Sequence, residues 1–232
     1  MTPKNMERFA KLHPVGFLRK PHDILSLPAL TFETEDFVAP KTIYNMDYNT
    51  RVEDQGEKPW CAAYAAAMFA ENVLWRKHGK PPVVKEDWIY EFAKKHDGMP
   101  GVDGTTLIAA MSALLDGGLF NPSVCKVKVL NTAEQVKFAI HKYGVCIIGL
   151  QVTQEWYYCN REKPSIYGQH EQIPLGGHAV TCCGYDRSGF MILNSWGSKW
   201  GSDGFALVSH DCFKRQFVYG AVLTNCLNDI EM

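Results

Sequence analysis

The stretch DQGEKPWCAAYAAAMFAENVLWRKHG, residues 54–79, decides how this chain of 232 residues folds. From Cys61 onward it is rich in alanine and other good helix formers. Arg76, Lys77 and His78 gather where a helix C-terminus favours cations, and Gly79 and Pro81 stop the helix. At ~1.5 Å per residue it is on the order of 27 Å long, enough to run through the middle of a domain. Cys61 is its first residue, and Gln55-Gly56 lies six residues upstream. A helix N-terminus carries about half a positive charge, which favours a thiolate. A glutamine amide nearby is a suitable donor to a developing oxyanion. Taken alone, a cysteine in an alanine-rich helix is an ordinary core thiol. The chemistry therefore has to be sought further along the chain.

A thiolate nucleophile needs an acid/base partner, and that partner needs a group to orient it. His178 stands in PLGGHAVTCCGY, at the start of a predicted strand. Gly176-Gly177 before it admit a close approach of backbone or substrate. Asn194 follows in LNSWGSKWGSDGF, and its side-chain carbonyl is able to accept an imidazole N–H. Two short adjacent strands would set His178 and Asn194 side by side. Trp196, two residues on, is then placed to roof the pair and exclude water.

The rest of the pattern predicts a mixed architecture. KEDWIYEFAKKH carries Trp88, Ile89, Phe92 and Ala93 on one helical stripe. A third helix after DGTT carries Leu107, Ile108, Met111, Leu114 and Leu115, closed by Gly117-Gly118. A fourth opens with Thr132 and Gln135 in a capping box and runs to Gly144. After that, VCIIGLQVT, HAVTCCGYD, FMILN, GFALVS and FVYGAVLT are short, β-branched and aromatic, and read as strands. The first half is mainly helical and the second mainly strand, so the expected class is α+β.

Together these residues resemble the papain-like (C1-type) cysteine peptidases. Gln55-Gly56, Cys61, GGHAV and NSWGSKWGSDGF carry the resemblance, with Trp196, Gly197, Trp200, Gly201 and Gly204 in register. It spans roughly Pro40 to Thr224. The flank of the nucleophile departs from the family: Lys58-Pro59-Trp60-Cys61-Ala62 keeps only the cysteine of the usual signature. Lys58 stands where the family has a half-cystine, so that disulfide cannot form. The resemblance implies two lobes with a cleft between them, a helical lobe over about 55–118 and a β-rich lobe over about 119–232. It also implies Cys61 as nucleophile, His178 as acid/base, Asn194 as orienting group and Gln55 as oxyanion donor. The family's substrate-binding glycine maps to Gly104 in Val102-Asp103-Gly104. Asp103, Gly177 and Trp196 join it as candidate substrate contacts, and Asp103 also reads as the N-cap of the third helix. No metal or cofactor is implied.

Composition narrows the remaining classes. Apolar residues make up 46% and charged residues 21%, with a formal net charge of -1, which speaks against a nucleic-acid partner. No apolar run is long enough to span a membrane, and the N-terminus lacks the apolar core of a secretory signal. The eight cysteines show no C-x-x-C spacing, and are read as free thiols in a reducing compartment. The expected setting is cytoplasmic, or associated with a virion or an exported effector. The expected state is monomeric, with a protein or peptide as substrate. Residues 1–39, with Pro14, Pro21 and Pro28, read as an arm over the catalytic body 40–232, shorter than a large propeptide and with an autoinhibitory role in prospect. An isopeptidase of deubiquitinase type, a transpeptidase and an inactive peptide-binding module stay open as alternatives.

Overall fold

A computed structural model of the protein describes residues 11, 13–18, 37–49, 51–168 and 173–226. Its centre is helix α1, Cys61–His78, which ends at Gly79 in the left-handed conformation with its N–H bonded to the Trp75 carbonyl. Every residue from Cys61 to Val73 is buried. Alanine makes this possible, because small side chains let helix and sheet approach closely on all sides. Thr181 of the sheet donates its hydroxyl to the Ala65 carbonyl at 3.1 Å. Two polar side chains lie in the buried run. Glu71 accepts the Val84 N–H at 2.8 Å, and Asn72 donates to the Asn45 carbonyl at 3.4 Å.

Helix α2, Glu86–His96, and helix α3, Leu107–Asp116, pack on α1 and on each other. The N-cap of α3 is Thr106, whose hydroxyl accepts the Ala109 N–H at 3.1 Å. This corrects the expectation for Asp103, which is exposed three residues earlier. The chain is still turning through Gly104 at φ 88°, and the Thr105 hydroxyl donates to Asp97 at 3.1 Å, so the cap falls to the extended Thr106.

The β-rich part is a sheet of eight strands: β1 Ile43–Tyr44, β2 Lys126–Leu130, β3 Cys146–Val152, β4 Ser165–Ile166, β5 Gly176–Tyr185, β6 Gly189–Leu193, β7 Phe205–Ser209 and β8 Phe217–Thr224. The order is β2-β8-β3-β5-β6-β7-β4, with β1 also paired to β5. All pairings are antiparallel except β4 with β7. Helix α4, Ala133–Tyr143, packs against β3, β5 and β8. Its cap is Thr132, as read from the sequence, but Gln135 reaches back to the N–H of Asn131 instead of Thr132. Two further helices, α5 Gln154–Tyr158 and α6 His210–Gln216, interrupt a region expected to be strand. Among the described residues no helix is long and apolar enough to cross a membrane.

Of the arm 1–39, the pieces at 13–18 and 37–39 are described, and Pro21, Pro28 and the segment between them lie outside the described residues. Phe37 sits edge-on to Phe138 of α4 at 5.0 Å between ring centroids.

The buried Glu71 supports a stability test. Glu71→Ala leaves the Val84 N–H without its acceptor, at a cost of about 2–3 kcal/mol in denaturant unfolding. Glu71→Gln, which keeps an acceptor oxygen, should recover more than half of that.

Candidate active site

The N-terminus of α1 has a feature that the other capped helices lack. Its N-cap is Trp60, which offers no side-chain acceptor, and no acidic residue lies in the first turn. Helices α3, α4 and α6 are closed by Thr106, Thr132 and Ser209 instead. The first N–H groups of α1 are therefore left for another acceptor. The Cys61 sulfur lies among backbone groups of Ala179, Gly16, Ala62 and Cys61 itself, which favour its thiolate.

His178 is the third residue of β5 and Asn194 follows the last residue of β6. These strands are antiparallel neighbours, with Thr181 opposite Leu193, so the start of one meets the end of the other. His178 Nε2 lies 2.7 Å from Asn194 Oδ1. Both side chains are fully buried, and His178 Nδ1 makes no hydrogen bond. The ring of Trp196 covers His178 at 4.6 Å between centroids. Tyr157 stacks on Trp196 at 5.0 Å, and Trp156 meets His178 edge-on at 6.3 Å. This aromatic wall keeps water from the imidazole–amide bond.

Gln55 reaches the same place through backbone pairing. Its N–H donates to the Ser195 carbonyl at 2.8 Å, and the Gly197 N–H donates to the Glu53 carbonyl at 2.9 Å. Ser195, which the sequence reading passed over, donates its hydroxyl to Gln55 Oε1 at 2.7 Å. That bond fixes which way the amide faces, so Nε2 points into the cleft. Four sequence-predicted residues, Gln55, Cys61, His178 and Asn194, thus come from separate elements to one region.

Nε2 already has an occupant. It donates to the Pro14 carbonyl at 2.9 Å and to the Lys58 carbonyl at 2.9 Å. Residues 13–18 run through the cleft as an extended strand. The Thr105 N–H donates to the Gly16 carbonyl at 3.2 Å, and the Leu18 N–H donates to the Thr105 carbonyl at 3.1 Å. On the opposite wall the Phe17 N–H donates to the Gly177 carbonyl at 3.0 Å. Phe17 is buried against Gly149, Gly177 and Tyr219, its ring 5.5 Å from that of Tyr219. The pairing with Thr105 is parallel. Gly177 therefore faces the segment 13–18, whereas on the other wall, where Gly104 was the expected edge, the hydrogen-bonding groups come from Thr105. Gly104 supplies the close approach, since a Cβ there would overlap the Gly16 carbonyl oxygen. Trp60 turns away and stacks on Tyr90 at 4.3 Å.

Burial acts on both ionisable groups of the site. It pushes the Cys61 thiol up to about 11, against the lowering effect of nearby backbone groups. It also drives His178 down to about 4, opposed by Asn194 and assisted by His13. Desolvation is the dominant cause on both sides and favours the neutral form of each.

Comparison with known proteins accords with this geometry. Residues 121–219 match the family described as papain family cysteine protease. Cathepsin Q of Rattus norvegicus is 24% identical over 197 residues, covering 72% of this chain and 57% of that protein. The chain thus spans little more than half the length of that relative. Among solved structures, xylellain, a cysteine protease from Xylella fastidiosa, is 18% identical with a TM-score of 0.72, covering 92% of this chain and 96% of the other. Procathepsin B S9 from Trypanosoma congolense is 14% identical with a TM-score of 0.71, covering 96% and 97%. The fold is the α+β papain fold, and the chain is similar to papain-like cysteine peptidases, with residues 121–219 matching that family.

Proposed function

We propose that the chain hydrolyses peptide bonds through Cys61, His178, Asn194 and Gln55. The observation that carries this reading is the meeting of the four side chains at one cleft, where His178 Nε2 lies 2.7 Å from Asn194 Oδ1 and Gln55 Nε2 donates to the carbonyl of Pro14 in the cleft-bound segment. Once peptide replaces that strand and water enters, the desolvation holding Cys61 and His178 neutral is relieved. A proton then passes from sulfur to imidazole Nδ1, the ring atom left without a hydrogen bond, while Asn194 holds Nε2. The thiolate attacks the substrate carbonyl carbon. The oxyanion that forms is held by the Cys61 N–H and Gln55 Nε2. The C–N bond breaks as the imidazolium gives its proton to the leaving amine, which leaves a thioester on Cys61. Water attacks the thioester, gives a proton to His178 and releases the acid and the thiol. No observation favours an isopeptidase, a transpeptidase or an inactive module over this reading. Cytoplasmic, virion or effector placement and a monomeric state remain part of the proposal.

Residues 13–18 belong to the same proposal as an autoinhibitory segment. They fill the oxyanion site with the Pro14 carbonyl and the apolar pocket with Phe17.

Three outcomes test this. Cys61→Ala should abolish peptide hydrolysis with an unchanged melting temperature, and Gln55→Ala should lower kcat by about 10²–10³. Residual cleavage by Cys61→Ala sinks the assignment.

Gly16→Val in the full chain tests the segment, because any Cβ at residue 16 overlaps the Pro59 carbonyl. Peptide hydrolysis and alkylation of Cys61 by iodoacetamide should both rise by about tenfold or more. Equal rates in the two chains reject autoinhibition.

The third outcome concerns pH. His13 is buried beside Trp196, with Nδ1 3.5 Å from Asp54 and its charge felt by His178. Burial lowers its pKa, with Asp54 opposing. The docked form therefore holds His13 neutral more strongly than the free segment does. Docking is strongest above about pH 6.5 and weakens as pH falls below it. The activity of the full chain relative to Gly16→Val should climb on acidification, and His13→Gln should flatten that ratio.

A further inference from the structure

Lys94, near the end of α2, is half-buried beneath the loop that pairs with residues 16–18. Its ammonium meets four oxygens: Asp97 Oδ2 at 2.7 Å and the carbonyls of Met99, Val102 and Gly104 at 2.9, 2.8 and 3.2 Å. An ammonium has three protons on a flexible stem, so this cage takes all of them. Asp97 is itself buried and knits the loop further. It accepts the Met99 N–H at 2.9 Å and the Thr105 hydroxyl at 3.1 Å. The loop from 97 to 105 is thus folded around one cation supplied by its own helix.

One peptide unit links this cage to the cleft. The carbonyl of Gly104 points inward to Lys94, and the N–H of the same unit, belonging to Thr105, points outward to the Gly16 carbonyl. In a trans peptide these two groups are on opposite sides, so fixing one fixes the other. Gly104 sits at φ 88° and has no Cβ, so rotation of this unit would otherwise cost little. The N–H of Gly104 is held from its other side by the Tyr90 hydroxyl at 3.1 Å. The Lys94 bond to the Gly104 carbonyl is charge-assisted.

We propose that Lys94 is a positioning residue for peptide binding: its ammonium locks the Gly104–Thr105 peptide so that the Thr105 N–H faces the cleft as a donor to bound peptide. It touches neither substrate nor the reacting atoms. The proposal rests on the cleft being a peptide site, as in the preceding subsection, and predicts an effect on binding without one on chemistry.

The test uses the full chain carrying Gly16→Val, which empties the cleft, with and without Lys94→Met. Removing Lys94 takes the ammonium from beside the buried Asp97 carboxylate, which threatens folding. The double change Lys94→Met with Asp97→Asn removes that charge and is the variant to use if Lys94→Met melts early. A synthetic peptide with the sequence of residues 13–18 is titrated by calorimetry. Its Kd should weaken about tenfold in the Lys94 variants, and an unchanged Kd overturns the proposal. With cleavable peptides KM should rise by a similar factor while kcat stays within about twofold. Cys61 labelling by iodoacetamide should be unaltered, and labelling by a peptidyl vinyl sulfone should slow. Equal slowing of both electrophiles indicates general damage and also overturns it. If Cys61 resists both electrophiles but the peptide binds, the catalytic reading fails, and the Kd values alone decide this one.

Discussion

The site depends on a helix end without a cap. A helix start usually has its first N–H groups satisfied by a serine, threonine or aspartate side chain. At Cys61 the preceding residue is Trp60, which offers no acceptor, and the donors stay available to sulfur. That arrangement costs stability locally and is tolerable because the helix behind it is buried through Val73 and held by packing on all sides. The alanine run and the reactive end are thus parts of one solution. The first lets the helix be central, and its centrality lets the end go uncapped.

Around that end, each working group is held by a contact that does no chemistry. Ser195 aims the Gln55 amide, Asn194 holds one imidazole nitrogen, and Trp196 with Tyr157 walls off the pair. Lys94 does the same for the binding edge, from beneath the loop. In the proposed reading the segment 13–18 adds a second level of control, because burial disfavours charge on both Cys61 and His178.

Much of this was legible in order along the chain. Helix α1 was readable to its last residue, because Gly79 and the basic turn before it are local signals. The α+β class and the five long strands were readable for the same reason. Helix α5 was not: Gln154–Tyr158 is short and aromatic, a composition that favours strand until Trp156 is buried with its N–H on Gln216. Strand β2, KVKVL, gave no clear signal because it alternates over only five residues at a sheet edge. The cap of α3 was placed at Asp103 because spacing cannot reveal that the chain is still turning at Gly104.

The amino-acid sequence by itself determined which residues are candidates for the reaction: Gln55, Cys61, His178 and Asn194. Cys61 opens α1 and Asn194 follows β6, and such boundaries are written in local residue chemistry. Only the tertiary structure decided what surrounds them. Ser195 meets Gln55 across 140 positions, and Thr105 meets residues 16 and 18 through backbone groups that every residue shares. A backbone N–H carries no side-chain signature, and a polar side chain far away in sequence has no spacing to betray it. The direction in which the Thr105 N–H points is therefore a property of packing around Lys94, not of any motif.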